Sequence, residues 1–430
     1  MVDQSIQESI SIEGHLGPIR AVNSPLTLEI SPLTVFIGPQ GTGKSLVSQL
    51  LYFFRDAQYL ISTHSTQDEP DITVRKVIEG IRSGENSSRA FSSFVMDNKV
   101  DIQYLRRNSD RPDTPLPPRS KRGDRGINLL PDRNWTITCY ESNRQIRPQS
   151  EFKQQIESWL MNIADNPASS GEIKSEAVFV PAERSFFSRL INSAPQSLGS
   201  KDLPITMREF TRVLFKSADT HQKWQEENNR ERPLEASEID DIITQELRGR
   251  AVFSRNGPYA RRWQWIPEQS DRPIEIEMAS SGQMETWPMV SMAQAMFGWE
   301  PWQRPLFIHI EEPETHLHPS AQVAIAKLLA YLCNKGFRLV ITTHSLFVLY
   351  VLNNLVLAAQ NLPDKDFPGI PVTSQRLTSN LLSAYLFSDG TAISIRDRES
   401  GELDESRLSS ILGNLEMEYN QIQSYDILWS

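Results

Sequence analysis

Residues Gly38-Pro39-Gln40-Gly41-Thr42-Gly43-Lys44-Ser45 constrain this chain more than any other stretch. They fit G-x-x-x-x-G-K-[ST] and lie between two apolar segments. Leu33-Thr-Val-Phe-Ile37 before them reads as a buried strand, and Leu46, Val47, Leu50, Leu51 and Phe54 after them recur at helical spacing. That spacing predicts a helix over Ser45–Phe54. Glycines let the loop wrap so that its N–H groups face phosphate oxygens, and the helix that follows adds its positive end. Lys44 then reaches the β- and γ-phosphates, and the Ser45 hydroxyl is a magnesium ligand. A ligand-free glycine turn is the plain alternative, and the strand–loop–helix context disfavours it.

Two further strand ends carry polar groups. Leu306-Phe-Ile-His-Ile310 is apolar and ends in the adjacent carboxylates Glu311 and Glu312. Alternation points the two acids apart, so one suits magnesium and the other suits polarising a water. Leu339-Val-Ile-Thr-Thr runs into His344-Ser345. A histidine there either donates to a γ-phosphate or positions water, or it is a satisfied structural residue. In Ala279-Ser280-Ser281-Gly282-Gln283, Ser280 and Gln283 fit an S-x-x-Q capping box. The functional reading of the same residues is a helix N-terminus that clamps a γ-phosphate. Pro288 predicts a kink or restart in that helix.

In this order the motifs resemble the ABC-type ATPase head, most closely that of the prokaryotic AAA-family proteins of RecF, SMC and OLD-like type. The phrases that carry the likeness are FIGPQGTGKS, VFVPAERS, SSGQ, IEEPETHLHP and ITTHS, and it extends from about residue 10 to 355. The resemblance implies ATP and Mg²⁺ as ligands. By it, Gly38 to Ser45 is Walker A, Ser280, Ser281, Gly282 and Gln283 the signature, and Pro313 to Pro319 the D-loop. Glu311 is the Walker B magnesium carboxylate, Glu312 the catalytic base and His344 the switch histidine, with Lys44 completing the catalytic set. Glu311 stands where aspartate is usual, and SSGQ where transporters have LSGGQ. Arg184, in Pro181-Ala-Glu-Arg184, matches a family phrase and is either a structural arginine or a phosphate contact. The resemblance further implies an ATP-sandwiched dimer, or a higher homo-oligomer, in which one copy's signature completes the other's site.

The implied fold class is α/β: a P-loop NTPase with a mixed, mainly parallel sheet flanked by helices and an inserted helical subdomain. We divide this single unit, 1–430, into four parts. They are a Walker A lobe (1–64), a largely helical insertion (65–270) with an exposed loop (106–133), a signature, Walker B and switch lobe (271–360), and a small extension (361–430). In the insertion, Ala177–Pro181 reads as a strand and Met207–Phe215 as a helix with an apolar stripe. Arg262–Ile266 and Ile274–Met278 alternate as strands, and the extension reads as a hairpin at Asp389–Asp397 and a helix at Glu405–Glu418.

Composition decides between partners. Lys and Arg number 44 against 54 Asp and Glu, a net charge of −10, which excludes nucleic-acid binding driven by the overall field. Two local features leave such binding open: the Arg106–Arg125 loop, and Arg248, Arg250, Arg255, Arg261 and Arg262 beside Trp263 and Trp265. Alternation favours packing those tryptophans on a sheet over stacking them on bases. Cys139 and Cys333 exclude a disulfide framework and a four-cysteine zinc site. Leu339–Ala359 reads as strand plus core helix, so we expect a cytoplasmic protein with no membrane partner.

The missing LSGGQ and the long insertion disfavour a transporter subunit, and the lack of heptad arms disfavours an SMC-type tether. The residues after His344 hold no carboxylate constellation, so we expect no intrinsic nuclease. The leading reading is an ATPase whose assembly regulates a separate effector, such as a nuclease, in anti-phage defence. The alternative is a RecF/SMC-like DNA-repair ATPase.

Overall fold

Strand parity explains why the central strands read as unbroken hydrophobic runs: both faces of their sheet are covered. The computed structural model describes residues 6–64, 99–108, 133–140, 146–148, 154, 175–200, 203–227, 229–255, 261–270, 272–397, 399–404 and 417–422. β1 (Ile6–Leu16) and β2 (Ile19–Glu29) form an antiparallel pair, followed by β3 (Leu33–Ile37) and α1 (Lys44–His64). β4 (Lys99–Asn108), β5 (Arg133–Tyr140) and β6 (Ile146–Pro148) extend the first pair into a sheet of order β2-β1-β4-β5-β6. β7 (Ala177–Val180) precedes α2 (Arg184–Leu190), α3 (Ile205–Glu226) and α4 (Leu234–Leu247). β8 (Gly249–Arg255), β9 (Arg261–Pro267) and β10 (Ile274–Glu275) make a small antiparallel sheet. After it come α5 (Ser281–Gly298), β11 (Phe307–Glu311), α6 (Pro319–Asn334), β12 (Arg338–Thr343), α7 (Leu346–Asn361), β13 (Leu382–Ser388) and β14 (Thr391–Ser394).

The central sheet has the order β14-β13-β3-β12-β11-β7, all parallel except β14. On one face Leu33, Val35, Ile37, Val178, Val180, Ile308, Ile310, Leu339 and Ile341 share a core with the helices from α2 onward. On the other, Phe36, Ala177, Phe179, Phe307 and Val340 share a core with α1 and the N-terminal sheet. The mainly parallel α/β architecture is therefore as expected from the sequence. No helix among the described residues is long and apolar enough to cross a membrane.

Several local readings need correction. The first helix breaks at Asp56, two residues past the expected end at Phe54, and helical backbone then resumes to His64. Within the insertion, β4 and β5 are strands of the N-terminal sheet, so helices are only part of it. Arg106 is not in an exposed loop: it lies on β4, buried, with its Nη1 3.0 Å from Glu176 Oε2. Residues 109–132 of that loop lie outside the described residues, as do 405–416 of the C-terminal helix. The alternation at Ile274–Met278 yields a two-residue strand and then a turn of 3₁₀ helix. α5 runs through Pro288 without restarting. Proline leaves the carbonyl four residues back without its usual donor, and here Ser188 Oγ donates to Met284 O at 2.6 Å. One reading among these stands as made: Trp263 and Trp265 are buried, Trp263 with its ring 4.6 Å from that of Trp287, the packing that alternation favoured over base stacking.

Candidate nucleotide site

The loop from Gly38 to Ser45 leaves the carboxyl end of β3 and enters α1. Gly38 has φ 144°, and a Cβ there would lie 2.2 Å from the carbonyl oxygen of Phe387 on β13, so only glycine fits. Pro39, Gln40 and Gly41 form the exposed crest, with Thr42 Oγ1 donating to Pro39 O across it (2.9 Å). No side or main chain would lie within 4 Å of a Cβ on Gly41. Lys44 folds back over the loop, its Nζ donating to Gly38 O (2.7 Å) and Pro39 O (2.6 Å). Burial lowers its pKa to about 8, while the carboxylates of Glu312 and Glu314 pull it back up.

Helix and strand periods meet at the magnesium candidates. Ser45, Ser48, Gln49, Tyr52 and Arg55 form one stripe of α1, facing the odd-numbered side chains of β11. Arg55 stacks over Phe307 at 4.3 Å, and Arg55 and Ser48 bracket the His309 ring at 2.9 and 3.2 Å. Ser45 and Gln49 hydrogen-bond Glu311. An arginine can only donate, so His309 Nε2 accepts and its proton sits on Nδ1. Burial first, then the Arg55 charge, pushes His309 well below its usual range. Burial raises Glu311 to about 7, against the pull of Ser45 and Gln49. Its side-chain hydrogen-bond partners are a hydroxyl and an amide, and this set suits a divalent ion. The described residues contain no cluster of three or more His, Cys, Asp or Glu fit to hold a metal. Magnesium needs none, because it takes one or two protein ligands together with phosphates and water.

Glu312, just past β11, has φ 42°, a left-handed conformation rare for a residue with a side chain. Its Oε1 is 3.5 Å from His344 Nε2. Arg184, fully buried, fixes this turn. Its Nη1 donates to Pro181 O (2.8 Å) and Glu311 O (2.6 Å), Nη2 to Glu312 O (2.9 Å) and Nε to Glu285 O (2.8 Å). Of the two readings of Arg184, the structural one fits these bonds, since its donors go to main-chain carbonyls after β7, at and just past the end of β11, and in α5.

Ser280–Gln283 stand apart from this cluster. Ser280 Oγ accepts from Gln283 N (3.4 Å), and Gln283 Oε1 accepts from Ser280 N (2.9 Å), a complete capping box. Gln283 Nε2 donates to Leu247 O (2.7 Å). None of these bonds reaches Gly38–Ser45, and Ser280 and Ser281 are exposed. Gly282 packs so closely on the 313–319 loop that a Cβ would lie 2.8 Å from His316 O.

Three participants escaped the sequence reading. Gln49 sits four residues after Ser45, on the same helix face, and that spacing could have exposed it. Glu314 and Glu285 had no such signal.

An AAA ATPase domain family model matches residues 136–349, a span that includes α5, β11 and β12 and excludes Gly38–Ser45. Among solved structures, an SMC head bound to the C-winged helix domain of ScpA is 13% identical with a TM-score of 0.42, covering 90% of this chain and 96% of its own. An SMC head with an extended coiled coil bound to the C-terminal domain of ScpA, from Pyrococcus furiosus, is 13% identical with a TM-score of 0.42, covering 95% and 99%. An SMC head from Thermotoga maritima is 10% identical with a TM-score of 0.37, covering 90% and 98%. No curated protein matches in sequence. Sheet order, phosphate loop and family match together make this an α/β P-loop ATPase fold.

Proposed function

We propose that the chain binds and slowly hydrolyses ATP, and that ATP-dependent pairing of two or more copies regulates a separate effector in anti-phage defence. The observation that carries this reading is the gathering of Lys44, Ser45, Glu311, Glu312 and His344 at the carboxyl ends of β3, β11 and β12. Open parallel sheets bind ligands at that edge. Ser45 and Glu311 would hold a magnesium ion, which neutralises charge on the β- and γ-phosphates. Lys44 exchanges its bonds to Gly38 O and Pro39 O for phosphate oxygens. Glu312 takes a proton from the attacking water as its oxygen bonds to the γ-phosphorus, and the bond to the leaving ADP oxygen breaks. His344, beside Glu312, orients that water.

The Ser280–Gln283 helix end, exposed and outside this cluster, is offered to a second copy. Two copies each lending α5 to the other's nucleotide enclose both phosphates. Hydrolysis removes the γ-phosphate and loosens the pair.

Glu312→Gln tests the reading. The variant is expected to retain ATP affinity and turn over at least ~100-fold more slowly, within the range for loss of a general base. Mass measured with and without ATP is expected to rise on addition of nucleotide, with a nuclease or other effector co-purifying. Normal turnover moves the base elsewhere, and mass unchanged by ATP removes the pairing. Salt-sensitive retention of DNA by the lone protein favours the RecF/SMC-like alternative.

A further inference from the structure

Glu314 is a third carboxylate in the turn after β11, and the mechanism above does not use it. Its Oε1 accepts two short bonds, from the main-chain N–H of His344 and from Thr343 Oγ1, each 2.7 Å. Thr343 Oγ1 in turn accepts from Ser345 N at 2.9 Å. Residues 343–345 thus hang on one carboxylate oxygen. Glu314 belongs to the turn that begins at Glu312, closed by Thr315 N and Thr315 Oγ1 donating to Glu312 O (3.1 and 2.9 Å). The base and the group that grips the switch loop therefore move together.

The other carboxylate oxygen, Oε2, is buried with no hydrogen-bond partner among the described residues. Such a group costs stability, and a charged acceptor held in this way calls for an explanation other than packing. Bonds from N–H and O–H to a carboxylate are about twice as strong as neutral ones, so the charge makes the clamp stiff.

We propose that Glu314 is a positioning residue, which holds His344 at its distance from Glu312 by clamping the main chain of the switch loop. The proposal rests on the roles given above to Glu312 and His344. Small displacements matter because misplacing a catalytic group by about 1 Å can cost about a hundredfold in rate.

Glu314→Ala and the isosteric Glu314→Gln are the test, each also made with His344→Ala, with ATP affinity, kcat and amide hydrogen exchange over residues 343–345 as readouts. Glu314→Ala is expected to speed exchange at the His344 amide and lower kcat roughly 10- to 100-fold, with ATP affinity within about threefold of wild type. Glu314→Gln keeps an acceptor oxygen and is expected to recover part of both. With His344→Ala already present, Glu314→Ala should cost several-fold less than it does alone, because its main effect runs through that histidine and only the remainder through its charge near Lys44. Unchanged exchange at His344 in both Glu314 variants overturns the clamp, and so does an equal loss of kcat with and without His344. Exchange decides the clamp even if the wild-type chain turns over no ATP, an outcome that would sink the hydrolytic reading instead.

Discussion

Glu312 keeps a backbone conformation that costs on the order of 1–3 kcal/mol, and the four carbonyl bonds of Arg184 hold it there. Asp56 is a second irregular residue: at φ −124° and ψ 17° it interrupts α1, and Arg133 Nη1 donates to the neighbouring carbonyls of Phe54 and Arg55. Its buried carboxylate accepts from Ser175 Oγ (2.7 Å) and Glu176 N (2.8 Å). Burial nonetheless raises its pKa from 3.8 to about 8. The folded chain keeps a proton that the unfolded chain releases near 3.8, so this residue's contribution to stability declines as pH rises from about 4 to 8 and is level above that. Asp56→Asn is expected to abolish the decline and to be the more stable form at pH 8, as urea melts across that range would show. At this scale Lys44, Ser45, Glu311, Glu312 and His344 were legible because each ends or follows an apolar run. Arg184 and Glu314 resisted assignment because their partners are main-chain groups of distant segments, and a carbonyl leaves no trace in residue identity.

α5 shows how one stretch serves two readings. Its capping box satisfies the helix end within the chain, yet Ser280 and Ser281 remain exposed there. Ser281→Arg is expected to leave ATP affinity of isolated copies unchanged while blocking the ATP-dependent rise in mass, checked by titration and light scattering. Persistence of the rise would reduce Ser280–Gln283 to a cap. Parallel strands buried on both faces announced themselves as Leu33–Ile37, Phe307–Ile310 and Leu339–Ile341. β4 did not. Its inward positions Val100, Ile102 and Tyr104 are followed by Arg106, whose charge reads as solvent-facing until Glu176 is brought beside it. Alternation cannot reveal an ion pair that joins a buried arginine to a half-buried glutamate 70 residues away.

Across the whole molecule, a charged seam joins the N-terminal sheet to the central one. Glu8 on β1 takes two bonds from Arg55 (2.8 and 2.7 Å) and one from Tyr104 (2.5 Å), and Arg55 reaches His309 on β11. Arg55→Met leaves the Glu8 carboxylate buried without its main partner and is expected to destabilise by about 3–5 kcal/mol. Adding Glu8→Gln should restore part of that loss, since the carboxylate is then no longer stranded while buried Arg338, 4.0 Å away, loses its ion partner, and denaturant midpoints of the two variants decide it. A different consequence follows from β3, which lies between β12 and β13, with Gly38 against Phe387. A ribosome making about 5–20 residues per second needs roughly 15–70 seconds to travel from the phosphate loop to the strand that walls it. Through that interval Gly38 has no Phe387 to pack against, so the loop is expected to take its final shape only once the last strands of the central sheet emerge.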